Sequence, residues 1–448
     1  MSVFLGALLM ALPAWAEPTP TLALSLDSVQ KAALERSPKL RAAEADRDAA
    51  QAQARGRLST LWPRLALDAS WRYASVIPTL QFPIRGAAPQ EFGTHDAWAL
   101  GPSLSWVFWD SGAAQSAWRS LSAAARSRGE DAAALKRQLL LEARLAYFQA
   151  QLGLEQVRLL ADSLRLAQAQ HADVAQRLKY RAASRMDLLS AHQEVLNRKR
   201  VLRQARSDVA SSVRDLFAKT GFGAGSDPSL ALDRATASKL PPDTEPPTLL
   251  LGLDVLEDSL KALDRGPEGG REHPRLKALS ESAEASRQAA RSAFAERWPR
   301  LQLTARSNAE YPNGPTVETI HQNAVGLSLS LPLFEGWRVT EEIGRRKTEA
   351  LAFEERRAQA AIDLGRDLLQ ADDQLAGLRV QREINRQAVL ETEELARLTY
   401  ESYQGGRSTF LEVQTANLQA LEAKVQSART DARILAQLAV RRSLSSED

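Results

Sequence analysis

The stretch WPRLALDASWRY, from Trp62 to Tyr73, alternates with a period of two. Leu65, Leu67, Ala69, Trp71 and Tyr73 fall on one side of an extended chain, while Ala66, Asp68, Ser70 and Arg72 fall on the other. After a loop rich in proline and glycine the pattern returns. Trp98, Leu100, Leu104, Trp106 and Phe108 face Ala99, Gly101, Ser103 and Ser105. It returns twice more, with Leu301, Leu303 and Ala305 against Gln302, Thr304 and Arg306, then Val325 to Leu333 against Gly326, Ser328 and Ser330. The four predicted strands run over about 63–73, 98–109, 299–309 and 324–334. Each is close to the roughly 9 to 11 residues with which a tilted β-strand crosses a bilayer.

The second strand pair is an echo of the first. Trp62-Pro63-Arg64-Leu65 recurs as Trp298-Pro299-Arg300-Leu301, and Ser37-Pro38-Lys39-Leu40 as His273-Pro274-Arg275-Leu276, both at a separation of 236 residues. After the strands the separation becomes 225, carrying Trp109 onto Phe334 and Asp187 onto Glu412. The first half therefore holds eleven extra residues, placed in the loop from Ser75 to Asp96. A long loop of that composition between short strands is expected on the outer side of a membrane sheet.

Outside the strands the chain reads as helix. A short helix from Leu26 to Ser37 is stopped by Pro38, and a second runs from Pro38 to about Thr60. No proline falls between Pro102 and Pro228, or after Pro332. Leu141, Leu145, Phe148, Leu152 and Leu159 in the first run, and Leu364, Leu368, Leu375 and Leu378 in the second, keep coiled-coil spacing. An unbroken helix from Gly112 to Tyr180 would extend about 100 Å, too long for a compact domain and suited to a tunnel wall. Each run holds one reversal, at Arg181 and Ala182 (near 181–185) and at Gly405 and Gly406 (near 404–408). The expected organisation is a signal peptide at 1–16, a first repeat at 17–221, a linker at 222–272, a second repeat at 273–443 and a tail at 444–448. Within the linker, Leu249 to Leu263 reads as one or two short helices, and GFGAG from Gly221 as a helix stop.

Composition narrows the function. Lys and Arg number 58 against 55 Asp and Glu, and the two signs are interleaved, which disfavours nucleic acid as a partner. The absence of Cys excludes disulfides, thiolate metal sites and thiol chemistry. His95, His171, His192, His273 and His321 are scattered without ligand spacing, and neither a nucleophile elbow nor HExxH occurs. No catalytic residue, cofactor or metal is expected. The only long apolar stretch, at the N-terminus, ends in Ala14-Trp15-Ala16 and reads as a cleaved secretory signal despite lacking an early Lys or Arg. A membrane-spanning reading must therefore rest on the strands.

Two constellations invite a functional reading. Asp187 and Glu412, each 78 residues beyond the matching strand end, could ring a tunnel mouth and attract cations, with Arg185 and Arg407 as partners. Equally, they could be acids favoured by the dipole of a first helical turn. Trp71, Trp98, Trp106 and Trp109 cluster on strand faces and ends, as in a bilayer interface belt; the competing reading is a buried β-sandwich core.

The duplicated WPRL, the string LSLSLPLFEGW from Leu327 to Trp337 and YQGGRSTFLEVQTA from Tyr403 to Ala416 resemble the TolC-like outer membrane efflux proteins. The first repeat departs from the pattern, with Val107 for proline and Arg181 where glycine is common. The resemblance implies a mainly α fold with a membrane β-barrel. Four strands per chain would join a trimeric twelve-stranded barrel, continued by a long coiled-coil tunnel built from two structural repeats. It further implies a passive export duct in the outer membrane, extending into the periplasm, fed by an inner-membrane pump of RND or ABC type, or a type I secretion system, through a periplasmic adaptor. Glu412 then corresponds to one acidic ring of a periplasmic constriction, Thr415 to the place of a second acid, and Tyr403 and Arg407 to gate-locking contacts. A periplasmic coiled-coil interaction or adaptor protein without a pore is the alternative.

Overall fold

The computed structural model describes residues 23–77, 79–80, 90–91, 93–221, 252–253, 272–314 and 316–445. The helices are α1 (Leu26–Glu35), α2 (Pro38–Leu58), α3 (Ala113–Lys179), α4 (Arg185–Thr220), α5 (Pro274–Ala295), α6 (Arg338–Gln404) and α7 (Phe410–Leu444). The strands are β1 (Ala23–Leu24), β2 (Arg64–Tyr73), β3 (Thr79–Leu80), β4 (Gln90–Glu91), β5 (Asp96–Trp109), β6 (Gly252–Leu253), β7 (Arg300–Tyr311) and β8 (Ile320–Ser330). Both α3 and α6 are 67 residues long and unbroken, as the proline-free runs require. The chain packs as two units.

One unit comprises residues 38–138, 268–370 and 443–448. Its sheet is fully antiparallel in the order β2-β5-β7-β8, so β2 and β8 are its two edges. The pairing of β5 with β7 joins the two repeats. At Gly101 a side chain is sterically impossible, because a Cβ would lie 2.0 Å from the Ser307 carbonyl oxygen and 2.6 Å from the Asn308 Cα. β8 stops at Ser330, before Leu331 and Leu333, for a local reason. Its partner β7 begins at Arg300 behind Pro299, while Pro332 has no N–H to donate. Conversely β8 begins at Ile320, because His321, Gln322 and Asn323 pair with Ala309, Asn308 and Ser307 although their side chains lack apolar alternation.

Beneath the sheet, helices α3 and α5 run antiparallel in heptad steps. Ser127 Oγ donates to the Ala278 carbonyl at 2.9 Å, Ser120 Oγ to Ala285 at 2.7 Å, and Ser292 Oγ to Ala113 at 2.9 Å. Small residues at each step let the backbones approach closely enough for a hydroxyl to reach the neighbouring helix. Ala293 of α5 packs with Val339 and Ile343 of α6.

The other unit comprises residues 1–37, 139–267 and 371–442. Its core draws Val29 and Ala33 from α1, Ala143, Ala146, Tyr147, Phe148 and Ala150 from α3, Leu216 and Phe217 from α4, Leu375 from α6, and Leu435, Leu438 and Ala439 from α7. Buried Tyr147 donates its hydroxyl to the Leu24 carbonyl at 2.9 Å, tying β1 to α3. The segment 249–263 lies largely outside the described residues. Within it Gly252–Leu253 is extended, not helical, and pairs parallel with Ala23–Leu24. The regions read as signal peptide and linker, and most of the first outward loop, likewise lie outside the described residues.

Candidate functional site

Cross-strand register sorts the side chains of the sheet, because directly opposed residues share a face. Leu65 opposes Leu104, Leu67 opposes Pro102, Ala69 opposes Leu100 and Trp71 opposes Trp98. The same face continues through Trp106 against Leu303 and Trp98 against Tyr311, then Leu303 against Leu327 and Leu301 against Leu329. One contiguous side of the four strands is thus apolar and aromatic. It is also uncovered: Leu65 and Leu67 are each 72% exposed, Trp71 69%, and Val325 79%. A sandwich core would bury these residues. An exposed apolar sheet of this extent belongs against lipid. Trp98 stacks on Tyr311 with ring centroids 6.2 Å apart, Trp106 packs on Phe108 at 5.8 Å, and Trp106 Nε1 donates to the Leu61 carbonyl at 3.1 Å. Trp109 lies beyond a bulge in β5, opposite Leu301.

The opposite face is small and polar. It carries Arg64, Asp68, Ser70 and Arg72 from β2, Gly101, Ser103 and Ser105 from β5, Arg300, Gln302, Thr304, Arg306 and Glu310 from β7, and Gly326, Ser328 and Ser330 from β8. Lipid on one side and polar groups on the other make this second face the lining of an aqueous space.

At the far ends of the long helices, the two reversals are built alike. The Ala182 N–H donates to the Arg177 carbonyl at 2.9 Å and Arg181 N–H to Leu178 at 3.0 Å; Arg407 N–H donates to Ser402 at 2.9 Å and Gly406 N–H to Tyr403 at 3.0 Å. Both are Schellman closures, which need one left-handed residue. Gly406 supplies it at φ 72°, and in the first repeat Arg181 takes it at φ 60°. This explains how the first reversal forms without glycine, at a conformational cost of about 1 kcal/mol. Ala182 and Gly405 flank these positions.

Asp187 and Glu412 each complete a capping box. Asp187 N–H donates to Ser184 Oγ and Ser184 N–H to Asp187 Oδ2, both at 3.0 Å. Thr409 N–H donates to Glu412 Oε2 at 3.0 Å, and Glu412 N–H to Thr409 Oγ1 at 3.3 Å. Asp187 is half-buried, Glu412 exposed. Arg185 and Arg407 are exposed and make no ion pair among the described residues. The cation that engages the tip is instead Arg177. Its guanidinium lies 5.8 Å from the centre of the Tyr403 ring, donates to the Gln404 carbonyl at 3.2 Å, and pairs with Asp173 at 2.9 Å. Tyr400 also donates to Asp173, at 2.9 Å. The i, i+4 spacing of Asp173 and Arg177 just before a reversal was a usable sequence signal.

Buried Tyr403 packs on Phe410 at 5.5 Å, within a cluster that includes Val174, Ala191 and Val413. Its hydroxyl is buried without a hydrogen-bond partner among the described residues. Burial, and next the Asp187 carboxylate, push its ionisation above the usual phenol range. Gln414 Nε2 donates to the Ser190 carbonyl and Asn417 Nδ2 to Gln170 Oε1, both at 3.1 Å, extending the lock between the two hairpins. Two of the scattered histidines, His171 and His192, are brought together with ring centroids 5.5 Å apart. Among the described residues no cluster of three or more metal-ligating side chains occurs, and no helix is long and apolar enough to cross a membrane.

A membrane sheet with one face for lipid and one for water, fed by paired 67-residue helices that turn back at capped reversals, defines an outer membrane channel with a helical tunnel. The family model for outer membrane efflux proteins matches residues 29–222 and 271–444, and the chain belongs to that family. It is a channel component and not an enzyme, situated in the outer membrane and reaching into the periplasm. Similar solved structures include VceC of Vibrio cholerae, at 17% identity and TM-score 0.73, covering 94% of this chain and 96% of that one. CmeC of Campylobacter jejuni is similar at 15% identity and TM-score 0.73, with 94% and 87% covered. MtrE of Neisseria gonorrhoeae, solved in an open state, is similar at 16% identity and TM-score 0.70, with 94% and 88% covered. No curated protein sequence is matched.

Proposed function

We propose that three copies of the chain form a passive export duct that carries solutes handed over by an inner-membrane pump through a periplasmic adaptor. The observation that carries this reading is the open sheet: an apolar face, a polar face, and two edges, β2 and β8, with no partner strand among the described residues. In hydrocarbon every unpaired N–H and C=O costs several kcal/mol, so such a sheet can sit in lipid only when its edges are joined to other copies. Four strands from each of three chains give a closed barrel of twelve. The pump is of RND or ABC type, the latter including type I secretion. Residues 1–16 serve as the export signal, and 222–272 link the two repeats along the chain.

The capped reversals form the periplasmic mouth in this reading. Asp187 and Glu412 lend it negative charge while starting their helices, and Tyr403 with Arg177 holds the closed arrangement. Arg185 and Arg407, exposed at the same end, are placed to meet an adaptor or a neighbouring copy. Purified in detergent and added to a planar bilayer, the mature protein should sediment as a trimer and give small, long-lived current steps. A soluble monomer, stable without detergent, would contradict the duct and favour a periplasmic interaction protein.

A further inference from the structure

We infer that Arg64 and Arg300 form a guanidinium collar at the inner end of the barrel that binds anionic groups of passing solutes. The inference rests on the trimeric duct proposed above and adds a chemical class to its cargo. Four observations carry it. The two arginines occupy the same place in the two repeats, each following a Trp-Pro pair at a separation of 236 residues and opening its repeat's first strand of the four-stranded sheet, β2 or β7. Register puts both on the polar face, since Arg64 opposes Ser105 and Arg300 opposes Ser330. Both side chains are exposed and make no hydrogen bond or ion pair among the described residues. Finally, cations outnumber acids on that face: Arg64, Arg72, Arg300 and Arg306 stand against Asp68 and Glu310, and the two acids hydrogen-bond to Ser103 Oγ at 2.5 Å and Asn308 Nδ2 at 3.2 Å rather than to an arginine.

Duplication within the chain and threefold assembly together place six guanidinium groups at one level of the lining. Arg72 and Arg306 add further positive charge along the same face, again with no ion pair among the described residues. Guanidinium presents donors in a planar fork suited to carboxylate, sulfonate and phosphate oxygens. Rings of Arg are also how anion-selective pores concentrate their ion. The lining would therefore retain solutes bearing carboxylate, sulfonate or phosphate groups, while the acidic reversals act on the opposite sign at the other end of the helices.

The test uses the full-length trimer and citrate as probe, added from the outer side, with spermidine as the cationic control. Citrate should reduce the current through the wild-type duct. R64Q/R300Q should need about tenfold more for the same effect, whereas R64K/R300K, which keeps the charge, should remain sensitive. Equal sensitivity of wild type and R64Q/R300Q, in folded trimers, would overturn the collar and leave the duct intact. Should a folded trimer pass no current, as a closed mouth would dictate, calorimetric titration of the trimers with citrate decides the collar independently of conduction, while a soluble monomer would sink the duct itself. Binding lost in R64Q/R300Q and kept in R64K/R300K supports it; binding absent or unchanged overturns it.

Discussion

The acids at the two reversals have two separable duties, and substitution can divide them. Ser184→Ala removes the side-chain oxygen that accepts the Asp187 N–H at 3.0 Å, leaving the charge in place. Asp187→Asn removes the charge but keeps a side-chain oxygen able to accept the Ser184 N–H, now held at 3.0 Å by the carboxylate. Loss of a Ser cap costs about 1 kcal/mol, which multiplies the local opening equilibrium by roughly 5. Amide exchange across the first turn of α4 should accelerate by about that factor in Ser184→Ala. Thr409→Ala should do less for α7, because its hydroxyl holds the Glu412 N–H at a longer 3.3 Å. Asp187→Asn with Glu412→Gln should leave exchange within about twofold yet lower the preference of the single-channel current for cations. Hydrogen exchange read by mass spectrometry and reversal potentials in a salt gradient measure the two effects independently. If the amide variants open the helices as much as the alanine variants and leave ion preference untouched, the carboxylates are helix-start residues alone and the mouth owes them no selectivity.

Other consequences concern stability. Arg181→Gly should relieve the left-handed arginine and slow exchange at the first reversal, a gain of up to about 1 kcal/mol after the entropic cost of glycine in the unfolded chain. Gly101→Ala should prevent the β5–β7 ladder from closing and abolish trimers on gel filtration, since its methyl group would meet backbone at 2.0 Å. Leu435→Ala, at a fully buried position of the α7 core, should cost about 2–5 kcal/mol in chemical unfolding. Glu342 is held at about 2, below its ordinary 4.5, by hydrogen bonds from Arg345 and then Arg346. Its folded value is the lower one, so its contribution is present above about 4.5 and is lost as pH falls toward 2. Glu342→Gln should flatten the thermal midpoint between those pH values, and the difference from wild type should shrink in high salt because these charges are open to solvent on the helix surface.

Most of the fold was legible because it rests on period and punctuation. Two-residue alternation located all four long strands, and the proline-free runs located both 67-residue helices. The strand ends were less legible. Ile320 to Asn323 joins β8 through backbone pairing with β7, and polar side chains there hide the pattern. The β5–β7 pairing is a long-range contact between repeats, which no local period reports. At the reversals, sequence spacing found Asp187, Glu412 and the turn glycines. It offered Arg185 and Arg407 as partners of those acids because they stand close by in the chain; the Tyr403 ring is met by a different cation, Arg177, in the last turn of α3. Helix geometry, not nearness in sequence, decides which cation meets the ring. The convergence of His171 and His192 escaped for the same reason, since they sit on different helices.

The duplication is kept where geometry constrains it and abandoned where it does not. Both long helices have 67 residues, and α4 and α7 have 36 and 35. The reversals repeat bond for bond, from Arg177–Ala182 to Ser402–Arg407. A one-residue insertion in any of these helices would rotate the following side chains by about 100° and move apolar positions off the packed face. The eleven additional residues of the first half fall between its strands, where a loop in water carries no such phase. Substitutions follow the same logic. Arg181 can stand for glycine because its side chain is exposed and only its backbone must be left-handed. Arg64 and Arg300 retain one residue type at an exposed position where packing does not demand it. Identity retained without a packing reason, at the rim of a polar lining, is what a recognition role for the two guanidinium groups predicts.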